Sequence, residues 1–296
     1  MSAHRRERLR GDTMHLATIR TGTTTRAVKR VDSGTSPVLV DLGYVDLGAL
    51  LADPDGLTKA AATDSGTTYD AATADFAPPV INPDKVICVS HNYGEHYRVL
   101  GLNIPESPRL STKFATALIG ANDEIVKPAD AHALDCAVEL AIVIGRTVRH
   151  ASDDEAAAAI AGFTVMNDVT DRDLEFQAEE WGLGNIWDRS TPIGPYLVTP
   201  DDLPGGIAPT LALTTTIDGR PVQSGSTADL HFDPVHVVRR ASRFMELRPG
   251  DIVATGSPSS PAHDHGPEAH LQAGQRIVVS IDGIGECRNT VVAADA

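Results

Sequence analysis

Glu139 and Asp168 are the carboxylates of this chain best placed to do chemistry, because each interrupts or closes an apolar run where an unpartnered charge is costly. In Asp135-Cys136-Ala137-Val138-Glu139-Leu140, running into Ala141 to Gly145, positions 137 and 139 lie two apart on an expected strand and share a face. A hard cation such as Mg²⁺ wants several oxygens, yet one of these two positions is an alanine. Glu139 and Asp168 alone would hold such an ion weakly. The competing reading is two charges at strand ends, paired with Arg172 or Arg146.

Asp168, Arg172 and Glu175 are spaced i, i+4, i+7, so a helix beginning at Asp168 would put them on one face, with Arg172 free to clamp a substrate carboxylate. A surface salt bridge is the alternative. His96 follows an expected strand, Lys85 to Val89, and lies in a loop where a proton shuttle is readily displayed. His263, Asp264, His265 and His270 have metal-ligating side chains, but their Pro- and Gly-flanked setting reads as surface loop. Neither Gly182-Leu183-Gly184 nor Gly283-Ile284-Gly285 has the third glycine of a dinucleotide fingerprint, and no nucleophile elbow or phosphate loop is present.

The elements that would position these residues are mostly strands. Leu16 to Arg20, Val38 to Leu42, Lys85 to Val89, Val138 to Ile144, Phe163 to Met166 and Arg276 to Ile281 read as strands, and Asp218-Gly219 reads as a hairpin turn. Ser152-Asp153-Asp154-Glu155 spells a capping box before an alanine-rich helix expected to stop at Gly162. Asp233-Pro234 opens another, with Val235, Val238, Ala241 and Met245 on one face and Pro249-Gly250 as its stop. Ala52 to Pro79 reads as a connecting segment. Strands and helices do not alternate as in a doubly wound sheet, which leaves an α+β, mostly β core with peripheral helices. Residues 1–13 read as a disordered arm, 14–80 as a small N-terminal β domain with its linker, and 81–296 as the larger, catalytic-type domain.

Composition narrows the partners. A net charge of -15 without a long acidic block describes a solvated surface and argues against nucleic acid or an anionic membrane. No apolar run approaches the roughly 20 residues of a membrane span. Cys88, Cys136 and Cys287 are too scattered for a disulfide framework and suit a reducing cytoplasm.

Taken in order, six segments resemble the fumarylacetoacetate hydrolase (FAH) family: Lys85 to Tyr93 with His96, Lys113 to Gly120, Glu139 to Gly145, Asn167 to Asp173, Thr191 to Pro195, and Pro249 to Pro258. That resemblance implies a mixed β-roll core with a small N-terminal β domain, commonly a homodimer. It also implies a small-molecule substrate: an acylpyruvate, a 1,3-dicarbonyl or an enolised keto acid. In such proteins a Glu-x-Glu pair and an Asp hold Mg²⁺ or Mn²⁺, a His activates water, and a Lys stabilises the oxyanion. Carried onto this chain, Glu139 matches the second glutamate, Asp168 the aspartate, His96 the histidine and Arg172 the substrate-facing arginine. Lys113 is expected to position anionic oxygens, and Tyr93, Asn185, Thr255 and Gly256 to contact substrate.

The departures fall on the same site. Ala137 replaces a metal glutamate, Asn185 the lysine and Val99 the glutamate that assists the histidine, while Glu175 stands where glutamine is usual. The expectation is an FAH-fold enzyme repurposed toward an isomerase, lyase, dehydratase or cyclase step. His96 and Glu175 would serve its acid-base chemistry, with Mg²⁺ or Mn²⁺ held weakly or not at all. A conventional metal-dependent carbon-carbon hydrolase is the first alternative. The second is a non-catalytic binding protein, whose mark would be a pocket filled by Trp187 or Tyr97.

Overall fold

The computed structural model describes residues 13–33, 36–101, 103–177, 181–201, 203–261 and 266–294. The expected arm, apart from Thr13, lies outside them, as do His263, Asp264 and His265 of the histidine-rich loop.

Two sheets form the core. The larger has ten strands in one path, in the order Thr68–Asp70, Ser36–Asp41, Thr24–Ser33, His15–Thr21, Thr191–Val198, Ile160–Asn167, Val138–Ile144, Ile252–Ala254, Val86–Ser90 and Arg109–Lys113; two short strands pair beside it. The smaller runs Arg220–Ser226, Ala212–Ile217, Arg276–Ile281, Gly285–Ala293, Ile125–Lys127. Among the described residues six short α-helices lie between these strands, which matches the mixed, mostly β roll the sequence implies. None is long and apolar enough to cross a membrane among the described residues.

The central strands are apolar because both faces are covered. Every residue of Val138–Ile144 and Ile160–Asn167 is buried, which explains why these segments read as continuous apolar runs and lack a period-2 pattern. Glu139 opposes Met166 across that pair, and Ala141 opposes Ala254 on the other side. The N-terminal strands join this sheet directly: Leu16 pairs with Leu197.

Local signals hold where backbone chemistry is explicit. Asp218 and Gly219 both have left-handed φ, at 51° and 76°, and join strands in the register Ile217 to Arg220. The capping box forms: Ser152 Oγ accepts from the Glu155 amide at 3.3 Å, and the Glu155 carboxylate accepts from the Ser152 amide at 2.8 Å.

Boundaries move where tertiary packing takes over. The capped helix ends at Ala159, short of Gly162, because Ile160 already begins a strand. Gly162 lies inside that strand, where an added Cβ would stand against the Val198 carbonyl of the next strand. Gly162→Ala is therefore expected to cost about 1–3 kcal/mol through overpacking, seen as a lower denaturant midpoint with unchanged slope. The helix after Asp233 spans Pro234–Ser242 and buries Pro234, Val237, Val238 and Ala241; it stops before Met245. Ala52 to Pro79, expected as a connection, holds the helix Gly56–Ala61 and the strand Thr68–Asp70.

Candidate active site

The strand ends gather the chemistry into one cavity of about 340 Å³. Glu139 reaches it from the strand Val138–Ile144 and Ala137 from just before that strand, Cys88 and Ser90 from another strand, and Ser111 from the strand opposite Cys88.

Glu139 is buried, and its Oε2 accepts a 2.9 Å hydrogen bond from the Gly256 amide. Burial pushes its carboxyl well above the ordinary carboxylate range, and the charge of Asp168 adds to that shift. Gly256 has φ of 89°, and a Cβ there would come within 2.9 Å of the Val89 carbonyl, so glycine lets this loop approach the acid. Thr255, expected at the substrate, is committed to the scaffold: its amide and hydroxyl both donate to the Leu140 carbonyl, at 3.0 and 2.9 Å.

Lys113 also supports the site from behind. Its side chain is fully buried, 2.9 Å from Asp168 Oδ1, and it donates to the Val169 carbonyl at 2.8 Å and the Asn185 carbonyl at 3.2 Å. The contact with Asp168 is an ion pair without hydrogen-bond alignment. With these partners around it, the ammonium fixes Asp168 and the Asn185 turn in place. Asn185 itself lines the cavity; its Oδ1 accepts from Thr170 Oγ1 at 2.9 Å, which leaves its amide NH₂ to donate.

The helix expected from Asp168 begins instead at Arg172 and runs to Gln177. Asp168 precedes it and is held by its amide to the Ala137 carbonyl at 2.8 Å, so only Arg172 and Glu175 share the helix. Arg172 Nη1 donates to Glu175 at 2.7 Å, Nε and Nη2 donate to Asp135 at 3.1 and 3.0 Å, and Nη2 reaches Ser260 at 3.1 Å. Burial alone would lower its pKa, but the charges of Asp135 and Glu175 outweigh that and raise it. Four of its five N–H groups are thus committed among the described residues, leaving one for a ligand.

His96 is carried by a helix, Gly94–Leu100, and not by a loop. Its ring lines the cavity with its centroid 5.1 Å from that of His91. Val99, three residues on, is 60% exposed and brings no acid to it. Tyr93 is buried beside a neighbouring cavity that His96 also borders, and its hydroxyl makes no hydrogen bond. Burial, with Glu139's charge second, raises that phenol. Cys88 faces the cavity as a thiol: burial pushes its pKa well up, which suits it to packing and not to nucleophilic attack.

Four contributors were missed or misread from the sequence. Asp135, fully buried, holds Arg172 and accepts from the Ser260 hydroxyl. It sits on the short strand Leu134–Asp135, which pairs with Thr170–Asp171 and not with the Glu139 strand, so strand period alone did not point to it. His91 lines the cavity in a left-handed conformation, φ 50°, and His270 lines it from the region read as surface loop. Gln223, from the smaller sheet, accepts from the Val138 amide at 2.9 Å and donates to the Ser259 carbonyl at 2.6 Å. It ties the loop bearing Ser257 and Ser260 to the Glu139 strand.

As ligands for a divalent cation, Glu139 and Asp168 are one carboxylate short of the family pattern, because Ala137 turns a methyl toward the cavity. Asp168 already has an ammonium beside it. No group of three His, Cys, Asp or Glu able to hold a metal forms among the described residues. The donor set fits a loosely held, largely hydrated ion better than a tightly held one. Neither Trp187 nor Tyr97 lines the cavity, so the mark of a filled, non-catalytic pocket is missing among the described residues.

Known proteins resemble this chain in sequence and fold. Oxaloacetate tautomerase FAHD2A, mitochondrial, from Homo sapiens is 35% identical over 219 residues, covering 73% of this chain and 69% of the relative. The structure of 5-carboxymethyl-2-hydroxymuconate delta-isomerase from Mycobacterium smegmatis superposes with a TM-score of 0.78 at 28% identity, covering 96% of this chain and all of that one. Fumarylacetoacetate hydrolase from Exiguobacterium antarcticum gives 0.80 at 28% identity, covering 95% of this chain and 100% of that one. The family model for the fumarylacetoacetate (FAA) hydrolase C-terminal region matches residues 85–292, and the chain belongs to that family of enzymes.

Proposed function

We propose that this protein is a tautomerase or isomerase of a small enolisable keto acid or 1,3-dicarbonyl compound, with proton transfer run by its own side chains. One observation carries this reading: His96, Glu139 and Asp168 share one cavity in which a methyl, Ala137, occupies the position of the family's third metal carboxylate. A tautomerase and an isomerase among the relatives support it.

The reaction needs little. A base removes the proton beside a carbonyl, the electron pair forms the C=C bond, and the carbonyl oxygen becomes an enolate that takes a proton; the reverse path returns the ketone. His96 would move the proton at carbon. Asn185 offers a neutral donor to the enolate oxygen where the family has lysine, and Arg172, held rigid by Asp135 and Glu175, offers its remaining N–H to a carboxylate of the substrate. A bound Mg²⁺ or Mn²⁺ would supply Lewis acidity. Glu139 and Asp168 are the residues that would hold it.

The test follows enol-to-keto conversion of a panel of small 2-oxo dicarboxylates and 1,3-dicarbonyls by ultraviolet absorbance, with and without chelator. Conversion that persists in chelator is the expected result. Carbon-carbon cleavage of acylpyruvates that disappears with chelator would instead restore the metal-dependent hydrolase and sink the proposal.

Ala137→Glu probes the same point from the other side. The substitution restores a direct ligand, where even outer-shell partners are worth about 10- to 100-fold in metal affinity. It is expected to raise Mn²⁺ affinity by at least that factor in a calorimetric titration.

A further inference from the structure

A second cavity, about 530 Å³, shares no lining residue with the first. Arg239, Arg240, Arg243 and His236 line it from the helix Pro234–Ser242 and its C-terminal cap, and His150 lines it from a turn. Glu106 is the single acid in its wall among the described residues. In a chain of net charge -15, this is a local reversal of sign built from separate chain segments.

Part of the pattern has a purely structural cause. Cations near a helix C-terminus are stabilised by its dipole, by about 0.3–1 kcal/mol each. That accounts for charge at this end of the helix, but not for a concave site. The partners that would neutralise these side chains are also few. Arg239 Nε lies 3.0 Å from the exposed Asp153, which still leaves the outer edge of its fork. Arg240 packs over the Phe244 ring at 4.7 Å, with its buried Nε making no hydrogen bond. Neither Arg240 nor Arg243 has an ion pair among the described residues.

The imidazoles are placed as firmly. His150 has φ of 52°, and its amide donates to the Ser242 carbonyl at 2.9 Å, closing the end of the helix and fixing the turn beside the cavity. Burial and the charge of Arg239 lower the pKa of His236, though Asp233 and Asp153 oppose that. The His236 ring lines the same cavity as Arg239, Arg240 and Arg243.

Guanidinium forks match the paired oxygens of phosphoryl and carboxylate groups, and the volume is that of an ordinary small-molecule site. We infer that this cavity binds a compact polyanion, a phosphoryl compound or a polycarboxylate, at a site separate from the one containing Glu139 and His96.

Isothermal titration of the full chain at near-physiological salt, with pyrophosphate in one arm and citrate in the other, tests this. Saturable binding of one anion near one equivalent is expected; pyrophosphate alone identifies a phosphoryl site, and citrate alone a polycarboxylate site. Arg240→Gln with Arg243→Gln should weaken that binding at least about tenfold, since two charged hydrogen-bond donors are lost. His150→Asn keeps a residue type that tolerates the left-handed backbone and should weaken binding at least about threefold. It serves as the reporter if the double variant fails to fold. Absence of saturable binding in both arms, or binding untouched by these substitutions, overturns the inference.

Discussion

Replacing His96 with alanine is expected to lower enol-keto turnover by about 10²- to 10⁴-fold, the range that a positioned acid or base contributes. The fold should survive, because the helix around His96 is fixed by other groups: the Tyr97 amide bonds the Tyr93 carbonyl, and Gly101 closes the helix in a left-handed conformation. Circular dichroism and the melting temperature should therefore change little while turnover collapses. The pH profile is the sharper readout. A variant that keeps more than a third of wild-type turnover with an unchanged profile would remove His96 from the chemistry and direct attention to His91 or His270, which line the same cavity.

Lys113→Met should act on stability first. Its ammonium is completely enclosed, with Asp168 and two backbone carbonyls as partners, so the substitution strands a carboxylate and two acceptors in a poorly hydrated place. Breaking a buried pair from one side typically costs about 3–5 kcal/mol. Chemical denaturation should show a loss of that size. Adding Asp168→Asn removes the stranded charge and should recover part of it, as coupled neighbours do. Should the single variant lose under 1 kcal/mol, the pair is well hydrated and Lys113 is available to a ligand after all.

These two residues also show what could and could not be read from the chain. That Ala137 and Glu139 would meet in one place was legible from their two-residue spacing, and both line the same cavity. The existence of a mostly β core followed from the same kind of evidence. The direction in which Lys113 points was not legible, since it depends on Val169 and Asn185, brought to it by strands and a turn far along the chain. Asp135 was not legible, since it lies on a separate short strand and its partner Arg172 arrives from a helix whose start the charge spacing placed four residues too early. Gly162 illustrates the opposite error. Glycine after an alanine-rich helix looks like a stop signal, yet here it makes room for a neighbouring strand's backbone.

The pairing of Leu16 with Leu197 bears on how the chain is made. Translation releases the N-terminal strands first, at roughly 5–20 residues per second, long before the segment that borders them in the main sheet exists. Until Thr191–Val198 emerges, Thr24–Ser33, the segment around Phe76 and the helix Leu47–Ala52 pack on His15–Thr21, but the edge at His15 and Leu16 lacks the strand that pairs with it in the finished sheet. An apolar edge then waits through most of synthesis. Nascent chains stalled before residue 191 should be the species that chaperones hold, because such an edge invites pairing with other chains.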